Sequence, residues 1–198
     1  MRHIVLATGL FLATTLALAG AAAAQTIRGD EAARLVFDGR APVLVINPRA
    51  GLSEVDRKTL DILVRTNAIA RYYGVIAFSP DEGLASEPTQ GAFNYHDVNT
   101  AAGRAVNECN RLRKRGTRPC IVAGQLLPPG YRQRGFQLSQ DATNALGEYR
   151  AIRGAKAMAI SRSTGSFAVA QGPTALIASV AACNKAAPNN DCAVVLKD

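Results

Sequence analysis

Apolar runs of strand length alternate with amphipathic stretches of helix length along this chain, and twice they fall in the same order. The first series begins with Tyr72–Ser79, rich in aromatic and β-branched residues. A Pro80-Asp81-Glu82-Gly83 turn and a short return strand near Leu84–Ser86 follow. Val98–Cys109 then reads as a helix with Ala102, Ala105, Val106 and Cys109 on one stripe, and Cys120–Ala123 reads as a strand. The second series has strands at Lys156–Ser161 and Ser166–Ala170. Gly172-Pro173-Thr174 opens its helix, which runs through Cys183, and Cys192–Leu196 forms the last strand.

The likeness extends upstream. Asp30–Phe37 predicts a short helix with Asp30 as N-cap and Gly39 beyond its end, and Val43–Ile46 is a continuous apolar run of strand length. Ser53 caps a helix on which Val55, Leu60, Leu63 and Val64 share a face. Its Leu52-Ser53-Glu54 start recurs as Leu138-Ser139-Gln140, so each unit reads α-β-β-α-β. The expected class is α+β: duplicated units related by a pseudo-twofold, with an antiparallel or mixed sheet, helices on one face and one disulfide per unit. The segments are 1–24 (signal peptide), 25–71 (helix-strand-helix), 72–124 (first unit), 125–154 (linker and helix) and 155–198 (second unit).

Composition adds a compartment. Arg2 and His3 precede the apolar run Ile4–Leu18, and Ala22-Ala23-Ala24 offers small residues before Gln25, the pattern of a cleaved signal peptide. The run, at about 15 residues, is short of the roughly 20 that span a bilayer. No later stretch is long enough, so the mature chain is expected in the periplasm or outside the cell. Four cysteines in an exported chain are read as two disulfides. Of the possible pairings only Cys109–Cys120 with Cys183–Cys192 keeps each unit self-contained.

Candidate chemistry is sparse. His96 is the only histidine beyond His3, and it lies next to Asp97. A hydrolase would need it beside a nucleophile such as Ser79, Ser86 or Ser163, none of which sits in a Gly-x-Ser-x-Gly elbow. The plainer alternative places His96 in a loop and makes Asp97 the cap of the next helix, through the amides near Asn99 and Thr100. Asp81, Glu82, Glu87 and Asp97 lack the patterned spacing of a calcium loop, and no metal or cofactor is expected. The net charge of +8 has its densest local source in Arg111, Arg113, Lys114, Arg115 and Arg118, between the first pair of cysteines. Such a loop suits an anionic partner, but no aromatic residues interleave with it for base stacking, which argues against nucleic acid. The units also differ in Glu87–Asp97, a polar insert carrying Phe93, Tyr95 and His96, which could be a protein-binding tip or a lid over the sheet.

Tyr73-Gly74-Val75-Ile76-Ala77-Phe78-Ser79-Pro80, a helix, Cys109 and Cys120-Ile121-Val122 together resemble a group of small secreted bacterial domains of unknown function. In these a Trp/Tyr-Gly-x-Ile-Ala hairpin precedes an Ala-rich helix and a Cys pair. The second copy is similar at Ala157–Ala170, Cys183 and Cys192, although neither hairpin starts with Trp. The resemblance implies an exported β-α module and carries no reaction with it. Similar secreted α-proteobacterial chains are sometimes labelled 5-aminolevulinate synthase. That chemistry needs a Schiff-base lysine, and Lys58, Lys114, Lys156, Lys185 and Lys197 all lie outside that family's Ser-x-Ser-Lys pattern. The expectation is therefore a non-enzymatic binding or structural module for an anionic envelope component or a protein, with the His96 hydrolase as the alternative.

Overall fold

The computed structural model describes residues 26–66 and 70–198; the signal-peptide reading of residues 1–24 lies outside them. Helix α1 (Gly29–Leu35), strand β1 (Val43–Ile46) and helix α2 (Glu54–Thr66) lead into β2 (Gly74–Phe78), β3 (Gln90–Ala92), α3 (Val98–Leu112) and β4 (Ile121–Leu127). Helix α4 (Gln140–Ala151), β5 (Lys156–Ser161), β6 (Phe167–Gln171), α5 (Ala175–Ala186) and β7 (Cys192–Lys197) complete the chain. The strands form two antiparallel sheets, ordered β1-β4-β2-β3 and β6-β5-β7. The expected α+β class and the expected pairing, Cys109–Cys120 and Cys183–Cys192, are both present, each pair with Cα atoms 6.0 Å apart. Each short closed loop removes roughly 3 kcal/mol of unfolded-state entropy on a chain-entropy account.

The two units correspond in detail. Between β2 and β4 the register slips at Ile76/Ala77, and between β5 and β7 it slips at Met158/Ala159, the same place in each hairpin strand. A residue is thereby left over in each last strand, bending it beneath the helix. The residue after each helix cysteine is an asparagine that fastens the far end of its disulfide. Asn110 Oδ1 accepts from the Cys120 amide and Asn184 Oδ1 from the Cys192 amide, both at 3.0 Å.

Strand alternation explains the layering. Val75 and Ala77 face α3, in a core with Ala101, Ala105 and Cys109, while Ile76 and Phe78 face the opposite way, toward Leu60 of α2. In the second unit Met158 and Ile160 join Leu146 and Tyr149 of α4, with Ala32 of α1. Helices therefore cover both faces of the sheets, where one covered face was expected. The central hairpin strands carry apolar side chains through their buried stretches, Val75–Phe78 and Ala157–Ile160, as a strand buried on both sides must; in the second, Lys156 and Ser161 stand at the two ends. On α2 the buried stripe is narrower than the sequence suggested. Leu60 is buried and Val64 packs beside it, whereas Val55 and Leu63 point outward.

The return strand of the first unit is also displaced. It is Gln90–Ala92, inside the segment read as an insert, and not Leu84–Ser86, which lies in the turn region. The extra length of the first unit is thus a long hairpin turn, 79–89, closed by main-chain bonds from Glu82 and Gly83 to the Ser79 carbonyl. Glycines make this pairing possible. A Cβ at Gly74 or Gly91 would lie 2.7 or 2.6 Å from the Phe93 ring, which covers both strands at that point.

The units meet where Asn94-Tyr95-His96 reaches the start of α4 and the β5–β6 turn. A Cβ on Gly165 would fall 1.7 Å from the Asn94 carbonyl oxygen, an immovable main-chain atom. Gly165→Ala should cost about 2–3 kcal/mol in urea denaturation, by overpacking this junction. Gly103→Ala, in the middle of α3 with open space around it, should gain up to about 1 kcal/mol.

Candidate functional site

The basic loop runs from the end of α3 to the start of β4 and is closed by the first disulfide. Its sequence would repel itself in isolation, yet the fold supplies three carboxylates. Arg118 donates through Nε to Asp81 Oδ1 at 2.7 Å, and its own amide donates to Asp81 Oδ2, also at 2.7 Å. Those bonds, the main-chain one first, hold the Asp81 carboxyl below its usual range. Glu82 Oε1 accepts from the Lys114 amide at 3.1 Å and from the Thr117 hydroxyl at 3.5 Å. Arg111 pairs with Glu108 at 3.0 Å, a carboxylate that Arg104 also reaches at 3.1 Å. Arg113 turns inward and donates to Asn110 Oδ1 and to the Thr117 carbonyl. Of the five cations singled out from the sequence, only the Lys114 ammonium and the Arg115 guanidinium extend into solvent without an acid partner among the described residues.

The aromatic segment does not project as a tip. Phe93 lies over Gly74 and Gly91, and Tyr95 is half-buried against the α3 core, with its amide bonded to the Tyr73 carbonyl. Asp97 caps α3 by accepting from the Asn99 amide at 2.7 Å, as the plainer reading had it.

His96 is buried, 6 % exposed, where a loop decoration was expected. Its Nδ1 accepts from the Ser139 amide at 2.8 Å, so the proton of the neutral ring sits on Nε2, which donates to the Ser166 carbonyl at 3.2 Å. Burial pushes its pKa down to about 4, more than the Ser166 carbonyl and the Asp191 carboxylate raise it. Both ring nitrogens are occupied by main-chain groups, which leaves none to activate a serine.

Ser79 and Ser161 hold matching places at the ends of β2 and β5, both fully buried. Ser161 donates to Asp191 Oδ1 at 2.6 Å, and the Ser163 amide donates to Asp191 Oδ2 at 2.8 Å. Partial burial raises the Asp191 pKa, but these hydrogen bonds outweigh it and hold the carboxyl low. In the first unit Pro119 stands before the second cysteine where Asp191 stands in the second, and the Ser79 hydroxyl has no hydrogen-bond partner among the described residues. Comparing the two copies of the sequence, Asp191-Cys192 against Pro119-Cys120, could have flagged this difference.

Among the described residues no group of three or more His, Cys, Asp or Glu side chains could hold a metal ion, and no helix is long and apolar enough to cross a membrane. No family model, curated protein or solved structure matches the chain.

His96 binds a proton more readily unfolded, near pH 6.5, than folded, near pH 4. Its contribution is therefore complete above about pH 6.5 and is lost as the pH falls toward 4, a loss of about 3 kcal/mol. Urea midpoints measured across pH 7.5 to 4 should fall accordingly, and His96→Gln should flatten that part of the profile. Ser161→Ala should cost about 1–2 kcal/mol, because Asp191 loses a donor. Ser79→Ala should be neutral or stabilising in the same assay, since it removes an unpaired hydroxyl.

Proposed function

We propose that this chain is a non-enzymatic, exported binding module that engages an anionic envelope component through the 111–118 loop. One observation carries the reading. The disulfide, Asp81 and Glu82 fix the loop's main chain, so that Lys114 and Arg115 stand exposed, without an acid partner among the described residues, on a rigid mount. A cation site ordered in advance loses less side-chain and loop entropy on binding than a mobile loop would. Export to the periplasm or beyond is part of the proposal. The two disulfides and the signal-like start of the chain support it. The likeness to small secreted domains with a Tyr-Gly-x-Ile-Ala hairpin supports the same assignment. The correspondence of the two units, down to the register slip and the Asn110 and Asn184 bonds, favours an origin by duplication.

The expected behaviour is salt-dependent retention on anionic vesicles or an immobilised anionic glycan. Lys114→Gln with Arg115→Gln should weaken retention at low salt by roughly tenfold, as loss of two unscreened cations implies. Arg118→Gln should instead lower the urea midpoint slightly, through loss of its Asp81 pair, and leave retention less affected. Unchanged retention of the Lys114/Arg115 variant at low salt removes the reading.

A further inference from the structure

A second cationic feature lies away from the 111–118 loop, in a groove of about 600 Å³ between α1 and the segment that leads into α4. Its apolar surface comes from Ile27, Leu35 and Phe136. Three guanidinium groups accompany them: Arg34 from the last turn of α1, and Arg132 and Arg134 from the opposite wall.

Arg134 is committed to the wall. It stacks 3.6 Å above the Phe37 ring and donates through Nη1 to the carbonyls of Leu35 and Val36. Those are carbonyls at the C-terminal end of α1, where unsatisfied oxygens concentrate negative potential. By covering them Arg134 removes the feature that would repel an anion from this end of the groove. Arg34 and Arg132 make no hydrogen bond or ion pair among the described residues, and the groove's one acid is Glu31. The lining therefore pairs an apolar floor with surplus positive charge, and the volume lies in the range of small-molecule sites, about 300–1,000 Å³.

We infer that this groove binds a single-chain amphiphile with a carboxylate or phosphate head. The chain lies over Ile27, Leu35 and Phe136, and the head sits between Arg34 and Arg132. Guanidinium forks match both head groups in geometry, which an ammonium does not. The site is independent of the 111–118 loop, so either can fail without the other.

Calorimetric titration with decanoate and decyl phosphate, each below its micelle concentration, and with decanol, below its solubility limit, tests it. Both anions should bind, with decanol weaker by roughly tenfold or more, and their relative affinities report the preferred head group. Added sodium chloride should weaken the anions and leave decanol unchanged, a result that needs no variant. Arg34→Gln with Arg132→Gln should reduce affinity for both anions by roughly tenfold while leaving the melting temperature unchanged. Lys114→Gln with Arg115→Gln should bind them as the parent does. Equal affinity for decanol, an unaltered Arg34/Arg132 variant, or no binding of either anion up to about 1 mM overturns the inference.

Discussion

The two halves of this protein are joined by the way one of them caps a helix of the other. An α-helix begins with amides that have no partner inside the helix. At α4 the Ser139 amide donates to His96 Nδ1, the Asp141 amide to Asn94 Oδ1, and the Ala142 amide to the Ser139 hydroxyl. Asn94 and His96 belong to the first unit, so the second unit's helix is finished by side chains from its neighbour. Further bonds repeat the connection: Asn94 Nδ2 and Arg71 Nε to Asp141, and the Tyr72 amide to the Gln140 side chain. Asn94 takes a positive φ of 62° to present its side chain this way, a conformation asparagine tolerates better than most residues.

This capping fixes the protonation of His96 by geometry as well as by burial. Nδ1 must accept, because the atom facing it is a main-chain amide. A second proton would set donor against donor at the positive end of a helix. The neutral ring is thus a condition of the joint between the halves. The same requirement takes His96 out of chemistry: a base must have a free nitrogen, and here both are spent on main-chain groups.

Much of the architecture was legible in the sequence because it rests on local signals. Ser139 and Asp97 cap helices where their positions suggested, and the order of elements follows the apolar pattern. The cysteine pairing followed from keeping each unit closed on itself. What could not be read was decided by tertiary contact. Gln90-Gly91-Ala92 has poor strand character, yet it pairs with Val75–Ala77 because Phe93 covers the glycines. Leu84, in the stretch expected to pair, is instead buried in the α2-side core. His96 looked like a loop residue because its partners, Ser139 and Ser166, lie 43 and 70 residues away. The charges of the 111–118 loop were legible as a run, but not their division into structural and free.

That division follows from the difference between the units. In the second, the turn after β5 is short, and Asp191 satisfies Ser161 and the Ser163 amide from within the unit. The first unit has Pro119 at that place and so lacks an acid beside its second cysteine. It draws Asp81 and Glu82 instead from the longer 79–89 turn, and they bind Arg118 and the Lys114 main chain. Without those carboxylates, five cations spaced within eight residues would repel one another across a loop that the disulfide keeps from spreading. The long turn and the basic loop are therefore one device. The acids neutralise the loop's flanks, and Arg113 turns its charge inward onto Asn110 and the Thr117 carbonyl. That leaves Lys114 and Arg115 as the exposed cations of the loop without an acid partner among the described residues.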